Sequence, residues 1–195
     1  MKKNLFGLLV GFIIYGLSVS MAQAGLVVID FEDFPTPGVV GDPNGLIGNY
    51  YASEGVIFTT PWYAYIEDSN YPASSGKYSA VGSPFPAEME FLDPVSDVGA
   101  YFNNYFAALT FSAFDSSGLL GTIGIPTQPT PGPIFYELPF SGIERVTLSG
   151  PTDSEKFYNM DDLTFTTAVP EPATLALFGI GLAGMGFARK KRKSA

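Results

Sequence analysis

The chain has 195 residues, 19 acidic against 10 basic, with neither histidine nor cysteine, so a Ser-His-Asp triad, a histidine-held zinc and a thiol nucleophile are all excluded. Seven of the ten basic residues, Lys2, Lys3 and Arg189 to Lys193, lie at the two ends, which leaves residues 25–168 with 18 acids against Lys77, Arg145 and Lys156, a net charge near −15. Such a surface repels nucleic acid and anionic lipid, is suited to cations or neutral polymers, and has to fold without disulfides.

In chain order, the first 24 residues have the parts of a signal peptide. Lys2 and Lys3 precede a mostly apolar stretch from Leu5 to Val19, and Ala22-Gln23-Ala24 is the small-residue pattern before a cleavage point. The mature chain is expected to begin at Gly25. The alternative, a retained N-terminal anchor, fits poorly with a short apolar stretch that ends in a cleavage pattern.

From Gly25 to Ala168 the pattern is all-β. Short runs rich in Val, Ile, Phe, Tyr and Thr alternate with Gly, Pro, Asp, Asn and Ser clusters. The runs are Leu26 to Phe31, Gly55 to Thr60, Ala87 to Phe91, Val98 to Phe102, Ala108 to Phe114, Leu119 to Ile125, Ile134 to Leu138, Ile143 to Leu148 and Leu163 to Thr167. No window shows a helical period. Asp115-Ser116-Ser117-Gly118 reads as a hairpin turn, with glycine free to take positive φ where the strands reverse. Pro126 to Pro133 reads as a stiff loop, too short to separate domains. Roughly 140 residues can bury a sufficient core. Many uneven strands without helical crossovers predict an antiparallel, jelly-roll-like β-sandwich in preference to a closed barrel.

Two sets of residues are candidates for a site. Asp30, Glu32, Asp161 and Asp162 would converge if the first and last strands are neighbours, and Ca²⁺ takes about six to eight oxygen ligands. Strand alternation puts Asp30 and Glu32 on one face and sets Asp161 and Asp162 opposite each other, so one of the latter pair is expected to join unless a turn intervenes. The plain alternative is a set of solvated edge carboxylates. The other set is aromatic: Trp62, Tyr63 and Tyr65, with Asn49-Tyr50-Tyr51 and Asn103-Asn104-Tyr105 supplying further rings beside amides. Rings stack on sugars while amides bond their hydroxyls; equally, any one of these rings could be core. A non-enzymatic protein is expected. The rival is a glycoside hydrolase working through a carboxylate pair, for which Glu88 with Glu90, or Glu67 with Asp68, are the candidates. A third class is a structural envelope component that binds no glycan.

The tail from residue 169 to 195 is a separate unit. Thr174 to Ala188 is fifteen residues without a charge, short of the about 20 that cross a bilayer comfortably. Gly179, Gly181, Gly184 and Gly186 smooth one face of that short transmembrane helix for close packing against a partner helix in the inner membrane. Arg189, Lys190, Lys191, Arg192 and Lys193 form a stop that holds the C-terminus on the cytoplasmic side. Pro170 and Pro172 hold the segment before the helix extended, as a protease or transpeptidase cleft requires. A simple C-terminal anchor is the alternative, and it would hold the protein in the same place.

Val169-Pro170-Glu171-Pro172-Ala173-Thr174, the glycine-rich apolar helix and the terminal basic run resemble the PEP-CTERM sorting signal of Gram-negative bacteria. The resemblance implies export across the inner membrane and recognition of Pro170, Glu171 and Pro172 by exosortase, a membrane enzyme linked to exopolysaccharide and biofilm production. It implies nothing about residues 25–168. There, Asp30-Phe31-Glu32, Tyr50 with Gly55 to Phe58, Phe114 to Gly118 and Met160 to Phe165 resemble extracellular domains of the carbohydrate-binding-module type. In that type the first and last strands pair and acids beside them often hold calcium. Together these readings predict an exported surface or matrix protein that binds exopolysaccharide, with a structural Ca²⁺ as helper.

Overall fold

The structure, a computed structural model, describes residues 24–35, 43–66, 72–105, 107–128, 130, 132–151 and 158–167. The predicted signal peptide, the sorting tail with its expected transmembrane helix and basic stop, and Glu67 and Asp68 lie outside the described residues. Among the described residues no helix is long and apolar enough to cross a membrane.

Nine strands carry the fold: β1 Leu26–Ile29, β2 Val56–Phe58, β3 Trp62–Ile66, β4 Tyr78–Gly82, β5 Ala87–Asn104, β6 Leu109–Asp115, β7 Gly118–Ile125, β8 Ile134–Ser149 and β9 Tyr158–Thr167. Among the described residues all strand pairings are antiparallel, and the hydrogen-bonded order is β3-β4-β9-β5-β8-β6-β7, with β1 on β9 and β2 on β5. The chain is an all-β antiparallel sandwich, and its first and last strands are neighbours, with Leu26 opposite Thr166 and Ile29 opposite Leu163.

Four of the expected strands are two. Ala87 to Phe91 and Val98 to Phe102 are the halves of β5, and Ile134 to Leu138 and Ile143 to Leu148 are the halves of β8. Asp93-Pro94 and Pro139-Phe140-Ser141-Gly142 look like turns in the sequence, but they sit at register shifts between Glu90 and Val98 where the paired strands bend together. Asp97 at φ 53 and Gly142 at φ 76 take up the bend. Proline is tolerated there because a bulge leaves backbone donors out of the ladder. One half of the β5–β8 ribbon pairs with β2 and β6, the other with β9, so one ribbon serves both layers.

The layers meet through rings. Phe91 of β5 lies 5.0 Å from Phe165 of β9, Phe102 of β5 lies 5.4 Å from Phe111 of β6, and Phe58 of β2 lies 5.6 Å from Trp62 of β3, all edge-on. Each fully buried ring contributes on the order of 2–3 kcal/mol. These rings belong to one buried cluster within a compact unit, Ala24–Ala168, which therefore has a core of its own. The predicted hairpin is present: Asp115 Oδ1 accepts from the N–H groups of Ser117 and Gly118 at 2.7 and 2.9 Å, and Gly118 has φ 132.

Candidate functional site

β3 and β4 have no counterpart among the predicted strands, and alternation along β3 divides the predicted aromatic trio. Trp62 and Ala64 are fully buried, whereas Tyr63 and Tyr65 are half-buried on the solvent side. Trp62 is therefore corrected from candidate sugar platform to core: its indole N–H donates to the Glu88 carbonyl at 3.1 Å, and no face of the ring is open. Of Asn49-Tyr50-Tyr51 only Tyr51 is likewise corrected to core, while Tyr50 stays exposed. Tyr51 is buried against Phe31, and the hydroxyls of Tyr50 and Tyr51 donate to the carbonyl and carboxylate of Asp33.

The solvent side of the β3-β4-β9-β5-β8 layer gathers what the sequence scattered. Tyr65 is opposite Ser79 and Tyr63 opposite Val81. The Ala80–Met160 pair sets Ser79 beside Asp161, and Asp161 is opposite Tyr101, which is opposite Phe135. One register step away, Asn159 is opposite Asn103, and Asn159 Nδ2 donates to Ser79 Oγ at 3.3 Å. A polar row of Ser79, Asn159, Asn103 and Asp161 thus runs between two aromatic banks. One bank is Tyr63 with Tyr65; the other is Tyr101 against the exposed ring of Phe135, 5.1 Å apart. Three strand spacings separate β3 from β5, roughly 14 Å. Gly99 makes room for Phe135, because a Cβ there would run into that ring.

The polar row is almost fully buried, and one of its donors has no acceptor. Asn103 is 1 % exposed, its Oδ1 accepts from the Gly132 N–H at 3.4 Å, and its Nδ2 has no hydrogen-bond partner among the described residues. Such an orphan in a folded protein calls for a water or a ligand to complete it. Its neighbour Asn104 does structural work instead. Its Nδ2 donates to the Ala107 carbonyl, and its backbone N–H donates to Gln128 Oε1 at 3.0 Å. Val98 to Phe102 and Ile134 to Leu138 were both legible as strands, which carried Tyr101 and Phe135; Asn159 lay outside every predicted run.

Of the four predicted acids, Glu32, Asp161 and Asp162 bond the loop from Ser74 to Tyr78, and Asp30 does not. β1 stops at Ile29 because Phe31 takes φ 62 and turns into the core, so strand alternation does not extend to Glu32. Asp30 Oδ1 accepts from the Glu32 N–H at 3.1 Å. Glu32 Oε1 accepts from the N–H groups of Lys77 and Tyr78, both at 2.6 Å. On the other side Asp161 Oδ2 accepts from Ser74 and Ser75 N–H, both at 2.8 Å, and Asp162 Oδ1 accepts from Ser75 Oγ at 2.8 Å. The expectation that only one of the last pair reaches the group is corrected. β9 has a register shift beside them and Asp162 adopts φ 46, so both carboxylates reach Ser75. Burial pushes the Asp161 carboxyl up to about 7, against the pull of its N–H donors and with a further push from Asp162. Among the described residues no three acidic side chains gather as ligands of one cation.

Of the predicted carboxylate pairs, Glu88 is held by Arg145, Nη1 to Oε2 at 3.0 Å, and Arg145 also lies 4.1 Å above the Phe114 ring. Glu90 is exposed and lines a cleft of about 380 Å³ with Leu92, Pro94, Asp115, Glu144 and the same Arg145.

Residues 168–193 match the family model of the PEP-CTERM protein-sorting motif. The chain carries a PEP-CTERM sorting signal. It is an exosortase-sorted surface protein, exported across the inner membrane to the cell envelope or surface. Among curated proteins none matches the chain. Among solved structures, the CBM35 from Paenibacillus barcinonensis is similar over 58 % of this chain and 94 % of its own, at 15 % identity and a TM-score of 0.34. A likeness that loose says nothing about a ligand.

Proposed function

We propose that this PEP-CTERM protein is a non-catalytic binding protein that holds a neutral exopolysaccharide at the cell surface, along the solvent side of the β3-β4-β9-β5-β8 layer. The observation that carries the reading is the pair of aromatic banks, Tyr63 with Tyr65 and Tyr101 with Phe135, on one face with amides between them. Sugar rings have apolar faces that stack on aromatic rings and hydroxyls that need donors and acceptors at their edges. The excess of 18 acids over three bases in residues 25–168 favours a polymer without carboxylates of its own.

The test is co-sedimentation of residues 24–168 with exopolysaccharide from the source bacterium. The Tyr63→Ala/Tyr65→Ala double variant is expected to weaken retention roughly ten-fold or more while the domain stays folded, since each stacked ring is worth about 0.5–1.5 kcal/mol beyond its area. Retention unchanged in the folded double variant, or absent in the parent, would refute the assignment.

A further inference from the structure

The open edge of the sheet is where the fold leaves most backbone unspent. β7 is eight residues long and, among the described residues, it pairs with β6 alone. From Leu109 opposite Ile125 to Ala113 opposite Gly121 that register runs without a shift, so the far side of β7 presents a regular row of backbone donors and acceptors. The other end of the layer order is less open. At β3, Leu46 bridges Tyr63 and the Ile47 N–H donates to the Trp62 carbonyl at 2.9 Å. β1 and β2 are only four and three residues long.

Edge strands are normally blunted by charge, proline or a bulge. Gly118–Ile125 has no charge and no proline, and Leu119 is 58 % exposed. The charge map selects the partner. From Ser116 to Tyr136 the chain has 21 consecutive residues without a charge, in a domain whose other surfaces bear 18 acids against three bases. Two copies of this domain repel each other wherever carboxylates meet. At β7 they approach without bringing any together, whereas a basic partner would be drawn to the acidic surfaces instead.

We propose that β7 is a self-pairing edge: two copies of the chain join antiparallel through this strand about a two-fold axis, making one continuous sheet. The pairing is isologous, since the same strand serves both sides. It leaves the β3-β4-β9-β5-β8 face of each copy to act independently of the pair.

The native chain has no cysteine, so one introduced thiol reports unambiguously. Thr122→Cys and Gly124→Cys place it at exposed positions on β7, the second with open space around a new Cβ; Ser53→Cys is an exposed control off the strand. Facing residues of an antiparallel pair have Cα atoms about 4.5–5.5 Å apart, within disulfide reach. The full-length exported chain is expected to form a disulfide-linked pair on mild oxidation with a thiol on β7 and not with one at residue 53. In sedimentation, residues 24–168 are expected to run as a dimer, and Thr122→Lys, which sets like charges near the axis, as a monomer with unchanged melting. A parent monomeric at every concentration, no cross-link from either β7 position, or a dimer that persists in Thr122→Lys each overturns the proposal. None of these outcomes bears on polysaccharide retention, which is read separately.

Discussion

Asp161→Asn is expected to change the pH dependence of stability more than stability at any one pH. The carboxylate is 2 % exposed and accepts three backbone N–H bonds, from Ser74, Ser75 and Asp162. Those donors favour the charged form, burial favours the neutral form, and burial prevails, raising the group from 3.8 to about 7. A folded-state pKa above the unfolded one contributes stability that is fully present below about pH 4 and is lost as pH rises through about 7. A shift of about three units at about 1.4 kcal/mol each is on the order of 4 kcal/mol, or roughly 10 °C in melting temperature for a domain of this size. Asparagine keeps one acceptor oxygen and does not titrate. In thermal melts from pH 4 to 8 by circular dichroism, the parent is expected to lose stability as pH rises and the variant to lose much less. The variant, lacking the oxygen that accepts from the Asp162 N–H, is the weaker of the two at pH 4.5 by about 1–3 kcal/mol, and the order reverses towards pH 8. A parent advantage that widens with pH would refute the reasoning, because it would mean that the three N–H donors outweigh the loss of solvation.

Two other perturbations test the core around β4. In Gly82→Ala the new Cβ runs into Ala87 and comes within 2.7 Å of the Tyr158 hydroxyl, which both accepts from the Gly82 N–H and donates to its carbonyl at 3.0 Å; calorimetry is expected to show a loss of about 3 kcal/mol or more. Trp62→Phe removes the donor to the Glu88 carbonyl and leaves a small cavity, a loss of about 1–3 kcal/mol by urea titration, while polysaccharide retention of the folded fraction is unchanged. Retention lost from folded Trp62→Phe would return the indole to the binding surface.

The sequence by itself determined the address and the class of fold. The Pro-Glu-Pro segment, apolar run and basic run are contiguous, so a local pattern suffices, and residues 168–193 match the sorting-motif family. The β pattern and the Asp115 to Gly118 hairpin are local as well. The tertiary structure decided the rest. Pro94 and Gly142 look like chain reversals, and only the register of β5 against β8 shows them to be bends in continuous strands. Trp62 and Tyr63 are chemically equivalent as sugar platforms, but which face of β3 is core depends on rings from β2 and β9 packing against one side. Asp30, Glu32, Asp161 and Asp162 were expected together because their strands pair. Glu32 and Asp161 hold the Ser74 to Tyr78 backbone instead, because its N–H groups arrive from a distant segment and meet these carboxylates first. The row from Tyr65 to Phe135 is assembled from five strands, and no window of the sequence contains it.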